Sequence, residues 1–341
     1  MTDNPVPSGI DAERVTKWLD ENVEGCVGPY GFDLIAGGHS NLTFSVRPAE
    51  GPRLVLRRPP LGQVLATAHD MEREHRIITG VGSTSMPVPR AVGLCTDIEV
   101  NGAPFYVMVH VDGPVLHSDE EAAEVDEIER ASLGVDVIEV LAQLHSIEPD
   151  DVGLGDLGKR EDYLGRQLRR WSRQWEQSKT RDLQAMEDVQ ALLAAEMPEQ
   201  VGSAIVHGDY RLGNMIVGRG KVCAVLDWEL CTLGDPLADV GYLMNNWVAP
   251  GETQASSSAP TLAGGFGERE HLLAHYAELT RRDVSAIDYY RAFSFWRLAA
   301  IVEGVLKRYL GGVMGDSEAD TEYFRLQVED LATRALELLR P

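Results

Sequence analysis

Apolar and polar positions change period along the chain, and the changes mark its elements. From Asp11 to Val23, Val15, Trp18, Leu19 and Asn22 recur on one side of a 3.6-residue period, which predicts a helix. Phe32-Asp33-Leu34-Ile35 then reads as a strand, Gly37 to Asn41 as a turn, and Leu42 to Val46 as the returning strand of a hairpin. A third strand, Leu54-Val55-Leu56-Arg57, is stopped by Pro59-Pro60. His69 to Gly80 has the pattern of a charged amphipathic helix. Val92 to Cys95 and Phe105 to Val109 follow as strands, with a turn at Asn101-Gly102.

Beyond Asp112 the period is mainly helical. Glu124 to Ile147, Glu161 to Gln177 and Asp182 to Glu196 are predicted helices, and two long helical stretches close the chain. Two short β-like runs interrupt them, Met215 to Val217 and Val222 to Leu226, separated by Gly218-Arg219-Gly220. Gly251 to Gly267, rich in Gly, Ser, Ala and Pro, is expected to be a mobile loop. The expected fold class is α+β and two-lobed: a small antiparallel-sheet lobe over 1–110 and a larger, mainly helical lobe over 111–341.

Composition narrows the partners. With 31 Lys and Arg against 54 Asp and Glu, the formal charge is −23, which argues against nucleic acid and anionic membranes. No apolar run is long enough to span a bilayer, and residues 1–9 lack a basic-then-apolar leader. Cys26, Cys95, Cys223 and Cys231 have no C-x-x-C spacing, so reduced thiols and a cytoplasmic setting are expected.

The chemistry is concentrated in His207-Gly208-Asp209-Tyr210-Arg211-Leu212-Gly213-Asn214, followed after the two β-runs by Asp227-Trp228-Glu229. Metal-assisted phosphoryl transfer needs one carboxylate beside the acceptor hydroxyl to orient it and take its proton. It also needs oxygen ligands that hold Mg²⁺ against nucleotide phosphates. A hairpin between Asn214 and Asp227 would return the second carboxylate beside the amide. Alone, H-G-D also reads as a turn, Asn214 as a turn cap and Asp227 as a strand end. The three together at this spacing carry the phosphoryl-transfer reading.

On these residues the sequence resembles the aminoglycoside phosphotransferase and choline kinase group of the protein-kinase-like superfamily. It is most similar to a bacterial phosphotransferase branch related to the kinase domains fused to some acyl-CoA dehydrogenases. The catalytic-loop pattern H-R-D-x-x-x-x-N corresponds to His207 to Asn214, with Gly208 in place of Arg, and D-F-G to Asp227-Trp228-Glu229. The resemblance implies a two-lobed protein-kinase-like fold and an ATP-dependent kinase with Mg²⁺. It implies Asp209 as catalytic base, Asn214 and Asp227 as Mg²⁺ ligands, and Arg211 as a cation near the γ-phosphate. Asp239, in Gly234-Asp235-Pro236-Leu237-Ala238-Asp239, reads either as a brace for the catalytic loop or as a helix N-cap.

Such a kinase needs a phosphate-covering turn, a strand cation and a helix acid in its first lobe. Gly38, His39, Ser40 and Asn41 are the candidates for the turn, although they depart from G-x-G-x-x-G. Arg57 occupies the place of the strand lysine, with Arg58 as the alternative under a one-residue slip. Glu74 is the candidate acid, with Glu72 the alternative. Backbone groups of Val109 and Val111 are expected at the adenine edge, with Met108 beside the ring.

For the acceptor, Arg166, Arg169 and Arg173 share one face of a predicted helix, together with Arg170. That face suggests an anionic acceptor with a hydroxyl, such as a hydroxyacyl thioester of coenzyme A or another phosphorylated or carboxylated molecule. Pairing with Glu161, Asp162 and Glu176 as an ordinary solvated face is the competing reading. Rival functions are an aminoglycoside O-phosphotransferase, a catalytically silent nucleotide-binding module and a two-metal phosphatase. The phosphatase reading lacks the expected histidine ligands and leaves Asn214 without a role.

Overall fold

The computed structural model describes residues 6–36, 41–62, 70–252, 259–312 and 321–340. The chain divides into two compact units, Met1–Pro114 with Val152–Leu154 and Cys223–Leu230, and Val115–Asp151 with Gly155–Val222 and Cys231–Pro341. Asp227 therefore belongs to the first unit, and Asp209 and Asn214 to the second.

The first unit opens with α1 (Ala12–Asn22), which starts where the Asp11 side chain accepts from the Arg14 N–H. Its sheet holds β1 (Gly31–Ala36), β2 (Leu42–Arg47) and β3 (Leu54–Arg58). Helix α2 (Met71–Gly82), capped by Asp70, leads to β4 (Ala91–Cys95), a single helical turn α3 (Ile98–Asn101) and β5 (Phe105–Val109). The expected turn at Asn101-Gly102 is the end of α3, where Gly102 takes a φ of 72° and closes the helix. The strands are antiparallel in the order β1-β2-β3-β5-β4.

Strand alternation assigns every side chain of β3 to a face. Leu54 and Leu56 join Phe44, Val46, Phe105 and Val107 in the core that Val15 and Leu19 of α1 complete. Arg58 points to that side and is buried, donating to the carbonyls of Gly9 (2.7 Å) and Asn101 (2.9 Å). Val55 and Arg57 take the other face, paired in register with Met108 and Tyr106. Helix α2 packs on that face, burying Ile77, Ile78 and Val81.

The second unit contains α4 (Asp119–Ala123), α5 (Glu127–Leu144), α6 (Tyr163–Ser178) and α7 (Gln184–Ala195). Then come β6 (Ala204–Val206), β7 (Met215–Gly218), β8 (Lys221–Val225) and β9 (Thr232–Gly234), with β6 paired to β9; β8, paired to β7, begins in this unit and ends in the first. Helices α8 (Leu237–Asn246), α9 (Arg269–Thr280), α10 (Ile287–Leu310) and α11 (Thr321–Leu339) complete it. Helix α10 is the hub, packing on α6, α7, α8 and α11 through a buried face that includes Trp296, Ala299, Ala300 and Leu306.

Three sequence expectations change here. The long helix expected from Glu124 is preceded by a separate α4, ended before Asp126 caps α5. The chain closes with α9 as well as the two long helices, because Gly267 ends the preceding loop and α9 buries Leu272 and Tyr276. The 251–267 loop is anchored where it is described: the Thr261 hydroxyl accepts from the Val248 N–H (2.8 Å) and donates to its carbonyl (2.9 Å). Residues 253–258 of that loop lie outside the described residues. Among the described residues, no helix is long and apolar enough to cross a membrane.

Close backbone approach fixes Gly134 of α5, where an added Cβ would lie 1.8 Å from the Phe266 carbonyl oxygen. Gly134→Ala is expected to destabilise the protein by about 1–3 kcal/mol through overpacking, read as a lower urea midpoint.

Candidate active site

The loop that follows β6 is shaped by one carboxylate. Asp239, in the first turn of α8 and 1% exposed, accepts from the backbone N–H of His207 (2.6 Å) and of Gly208 (2.8 Å). Of its two sequence readings, the structure gives the brace; the residue lies inside α8 and does not cap it. Gly208 has a φ of 86°, a left-handed conformation that explains glycine where the kinase pattern has arginine. His145, at the end of α5, meets Asp239 through Nε2 (3.3 Å) and the Tyr276 hydroxyl through Nδ1 (2.8 Å). An ionised Asp239 only accepts, so Nε2 carries the proton and Nδ1 accepts from Tyr276. Arg282 closes the chain by donating to the His145 carbonyl at 2.9 Å.

Burial pushes the Asp239 carboxyl up, but His145, His207 and the Gly208 amide outweigh it and hold it below the usual aspartate range. Burial drives the His145 imidazole down against the pull of Asp239, so it stays neutral. Asp235 is a second buried anchor, accepting from the Val201 and Leu237 amides and the Tyr290 hydroxyl (2.7 Å). Burial raises its carboxyl.

On this frame the loop presents Asp209, Arg211 and Asn214 together. The Asn214 Nδ2 donates to the Asp209 carboxylate (2.7 Å) and to its carbonyl (2.9 Å). Both amide hydrogens face Asp209, which leaves the Asn214 oxygen to accept. Arg211 Nε lies 3.3 Å from the other Asp209 oxygen. Tyr242 of α8 lies near the same carboxylate: burial, followed by the Asp209 negative charge, raises the phenol pKa. Two donors, Asn214 and Arg211, thus converge on Asp209 and orient it.

In the first unit, the face alternation of β3 settles which basic residue meets the helix acid. Arg57 Nε lies 3.1 Å from Glu74 Oε1, and its Nη2 donates to Asp227 Oδ1 at 2.5 Å. The Nε contact is an ion pair too far off line for a hydrogen bond. Glu74 is 2% exposed and also accepts from the Tyr106 hydroxyl (3.1 Å), whereas Glu72 faces solvent. Burial works against the Arg57 charge, but Glu74, Tyr106 and Asp227 outweigh it and raise its pKa. Burial raises Glu74, offset in part by Arg57. Asp227 itself has a φ of 66°, a left-handed conformation rare for a side chain with a Cβ. Its Oδ2 carries no described bond, so one oxygen stays available.

Other predicted residues are placed differently. Gly38, His39 and Ser40 lie outside the described residues. Asn41 is buried and directs its amide toward Glu74 (3.5 Å) and Glu229 (3.4 Å), so its side chain is turned to acids and away from a phosphate role. The Val109 N–H already donates to the Arg90 carbonyl at 2.9 Å, which leaves its carbonyl alone to offer. Met108 is buried on the α2 face and Val111 is half-buried.

The arginine face of α6 lies on a cavity of its own. Arg166, Arg169 and Arg173 line an 850 Å³ cavity against α7 that includes no catalytic-loop residue. Arg169 pairs with Asp162 at 2.6 Å. A different cavity, of 460 Å³, is lined by Arg211, Leu212 and Gly213 of the loop with Tyr242, Asn245 and Arg291. The sequence reading missed His145 and Tyr242 around the loop. A histidine closing the run Leu141-Ala142-Gln143-Leu144 was the available signal for the first; for the second there was none.

The sequence profile of the APH family, described as a phosphotransferase enzyme family, matches residues 32–281. Acyl-CoA dehydrogenase family member 10 of Mus musculus is 35% identical over 294 residues, covering 83% of this chain and 27% of the relative. Family member 11 of Gallus gallus is 34% identical over 315 residues, covering 89% of this chain and 40% of the relative. The chain thus spans less than half the length of these relatives. A solved Ralstonia eutropha structure, provisionally assigned as an aminoglycoside phosphotransferase, has a TM-score of 0.82 at 32% identity and covers 97% of this chain and 98% of its own. Choline kinase from Cryptosporidium parvum shares the fold, with a TM-score of 0.66 at 14% identity and 96% coverage of both chains.

Two measurements check the site's framework. Glu74→Ala removes one partner of a buried ion pair and is expected to cost about 3 kcal/mol, while Glu72→Ala stays within about 0.5 kcal/mol, both by urea unfolding. For His145, a folded pKa below the unfolded value of about 6.5 favours the fold above that pH and loses the contribution as pH falls through it. The urea midpoint is expected to fall between about pH 7 and pH 5, and to fall less in His145→Gln.

Proposed function

Since the chain belongs to the APH phosphotransferase enzyme family and is a small-molecule kinase by class, we propose that it transfers the γ-phosphate of ATP, with Mg²⁺, to the hydroxyl of an anionic metabolite. The observation that carries this reading is the braced loop, in which Asp239 fixes two amides and Asp209 receives Asn214 and Arg211. A carboxylate held this way suits a group that orients an acceptor hydroxyl and takes its proton.

In the proposed reaction the acceptor oxygen bonds to the γ-phosphorus, its proton passes to Asp209, and the bond from phosphorus to the β–γ bridging oxygen breaks to release ADP. Arg211 stands beside the base as a fixed positive charge for the transferred group. By residue chemistry, the Asn214 amide oxygen and the second Asp227 carboxylate oxygen, each free of described hydrogen bonds, are the kind of ligand a hard cation takes. Mg²⁺ held there would neutralise charge on the nucleotide phosphates. Arg57, kept charged by Glu74, takes the nucleotide-gripping place of the strand lysine. Val109 and Val111 border the adenine, with Met108 behind them. Four free cysteines fit a cytoplasmic setting.

The acceptor reading rests on the cavity at the catalytic loop, in place of the α6 face. Its lining holds four guanidinium groups, Arg211, Arg269, Arg291 and Arg334, each already paired with a carboxylate, Asp209, Glu252, Asp288 and Asp330 in turn. Their remaining N–H donors suit a carboxylated or phosphorylated acceptor, including a hydroxyacyl thioester of coenzyme A, better than the polycationic aminoglycosides.

The test is ATP consumption with Mg²⁺ against matched panels, hydroxyacyl-CoA esters and hydroxy acids in one, aminoglycosides and choline in the other. Turnover with the anionic panel is expected. Turnover confined to the cationic panel would make the chain an aminoglycoside-type phosphotransferase. ATP binding without any transfer would leave a silent nucleotide-binding module. Asp209→Asn is expected to retain ATP binding and to lose roughly 10²–10⁴-fold in kcat.

A further inference from the structure

Arg297 of α10 is a cation at the catalytic loop without an anion. Its guanidinium lies over the ring of Tyr242, 5.5 Å from the centroid. One Nη donates a long bond of 3.4 Å to the carbonyl of Gly208, the residue before Asp209. Tyr242 in turn lies close enough to the Asp209 carboxylate for that charge to raise its phenol pKa, after burial. The guanidinium is thereby tied to both flanks of the base. Its Nε is buried and bonds nothing.

Four of the arginines described above meet carboxylates. Arg57 has Asp227 at 2.5 Å, Arg211 has Asp209 at 3.3 Å, Arg269 has Glu252 at 2.8 Å and Arg291 has Asp288 at 2.9 Å. Arg297 has no such partner among the described residues. The chain carries 54 acidic residues against 31 basic ones, so a lack of carboxylates does not explain the gap. A half-buried cation with an orphaned donor is unfavourable unless an anion completes it. Stacking on Tyr242 holds the planar fork in one orientation, which is the arrangement that suits bidentate pairing with a carboxylate or phosphate.

We propose that Arg297 is a specificity-determining residue, pairing with a carboxylate or phosphate that the acceptor carries near its reacting hydroxyl. The inference rests on the kinase reading for the word acceptor, but its test does not need turnover. A neutral molecule leaves the guanidinium unpaired and is rejected for that reason.

The experiment is calorimetric titration of the full chain in the presence of AMP-PNP and Mg²⁺. The probes are hydroxy acids of three to six carbons against their primary amides, and glycerol 3-phosphate against glycerol, which separates carboxylate from phosphate recognition. At least one anionic probe is expected to bind about tenfold more tightly than its neutral counterpart. Arg297→Gln should erase that preference by weakening the anion alone, and Arg297→Lys should restore part of it. Unchanged melting temperature and AMP-PNP affinity show that both variants are folded. Equal binding of charged and neutral probes by the native protein overturns the proposal, as does an undiminished preference in Arg297→Gln. Phosphoryl transfer is scored on the same samples. An Arg297-dependent preference without transfer sinks the kinase reading and keeps the anion contact. Transfer that ignores Arg297→Gln keeps the kinase and removes the contact.

Discussion

A single buried carboxylate holds the catalytic loop in shape. Where β6 ends, the chain turns so sharply that two consecutive amides, those of His207 and Gly208, point the same way and cannot be satisfied by a strand neighbour. Buried N–H groups need acceptors, and Asp239 supplies both. The carboxylate is itself stabilised because His145 meets it from α5, with Tyr276 and Arg282 behind. Elements far apart in sequence are thus tied to one loop of eight residues, His207 to Asn214.

Much of this was legible in the sequence, for reasons that differ by residue. The Asp209–Asn214 pair was visible because the whole constellation fits within six positions, and local spacing alone brings the amide to the carboxylate. The choice between Arg57 and Arg58 was not, because it turns on a register that no local pattern fixes. Once β3 pairs with β5, a slip of one residue would exchange a core-facing cation for a site-facing one. Tyr242 left no trace at all. It is an ordinary residue on an apolar helix, and its position beside the base follows from how α8 and α10 pack.

Net charge proved a poor guide and local charge a partial one. The run of arginines on α6 was evident from helical spacing, yet spacing reports which face a residue occupies and not what that face meets. Those arginines border α7, while the cavity at the loop draws its arginines from other elements, scattered in sequence over more than a hundred positions. A charge cluster assembled by packing has no signature in a linear pattern. Conversely, a cluster that is obvious in the linear pattern can be an ordinary solvated surface.

The strand cation of the first unit also has a chemical consequence. A guanidinium does not lose its proton at any pH a protein survives, and it is a poor nucleophile. Reagents that report on kinases by acylating the strand lysine would find no amine at Arg57. Enzymes carrying this arginine would pass silently through surveys built on that chemistry, and a cell extract profiled in this way would under-count them.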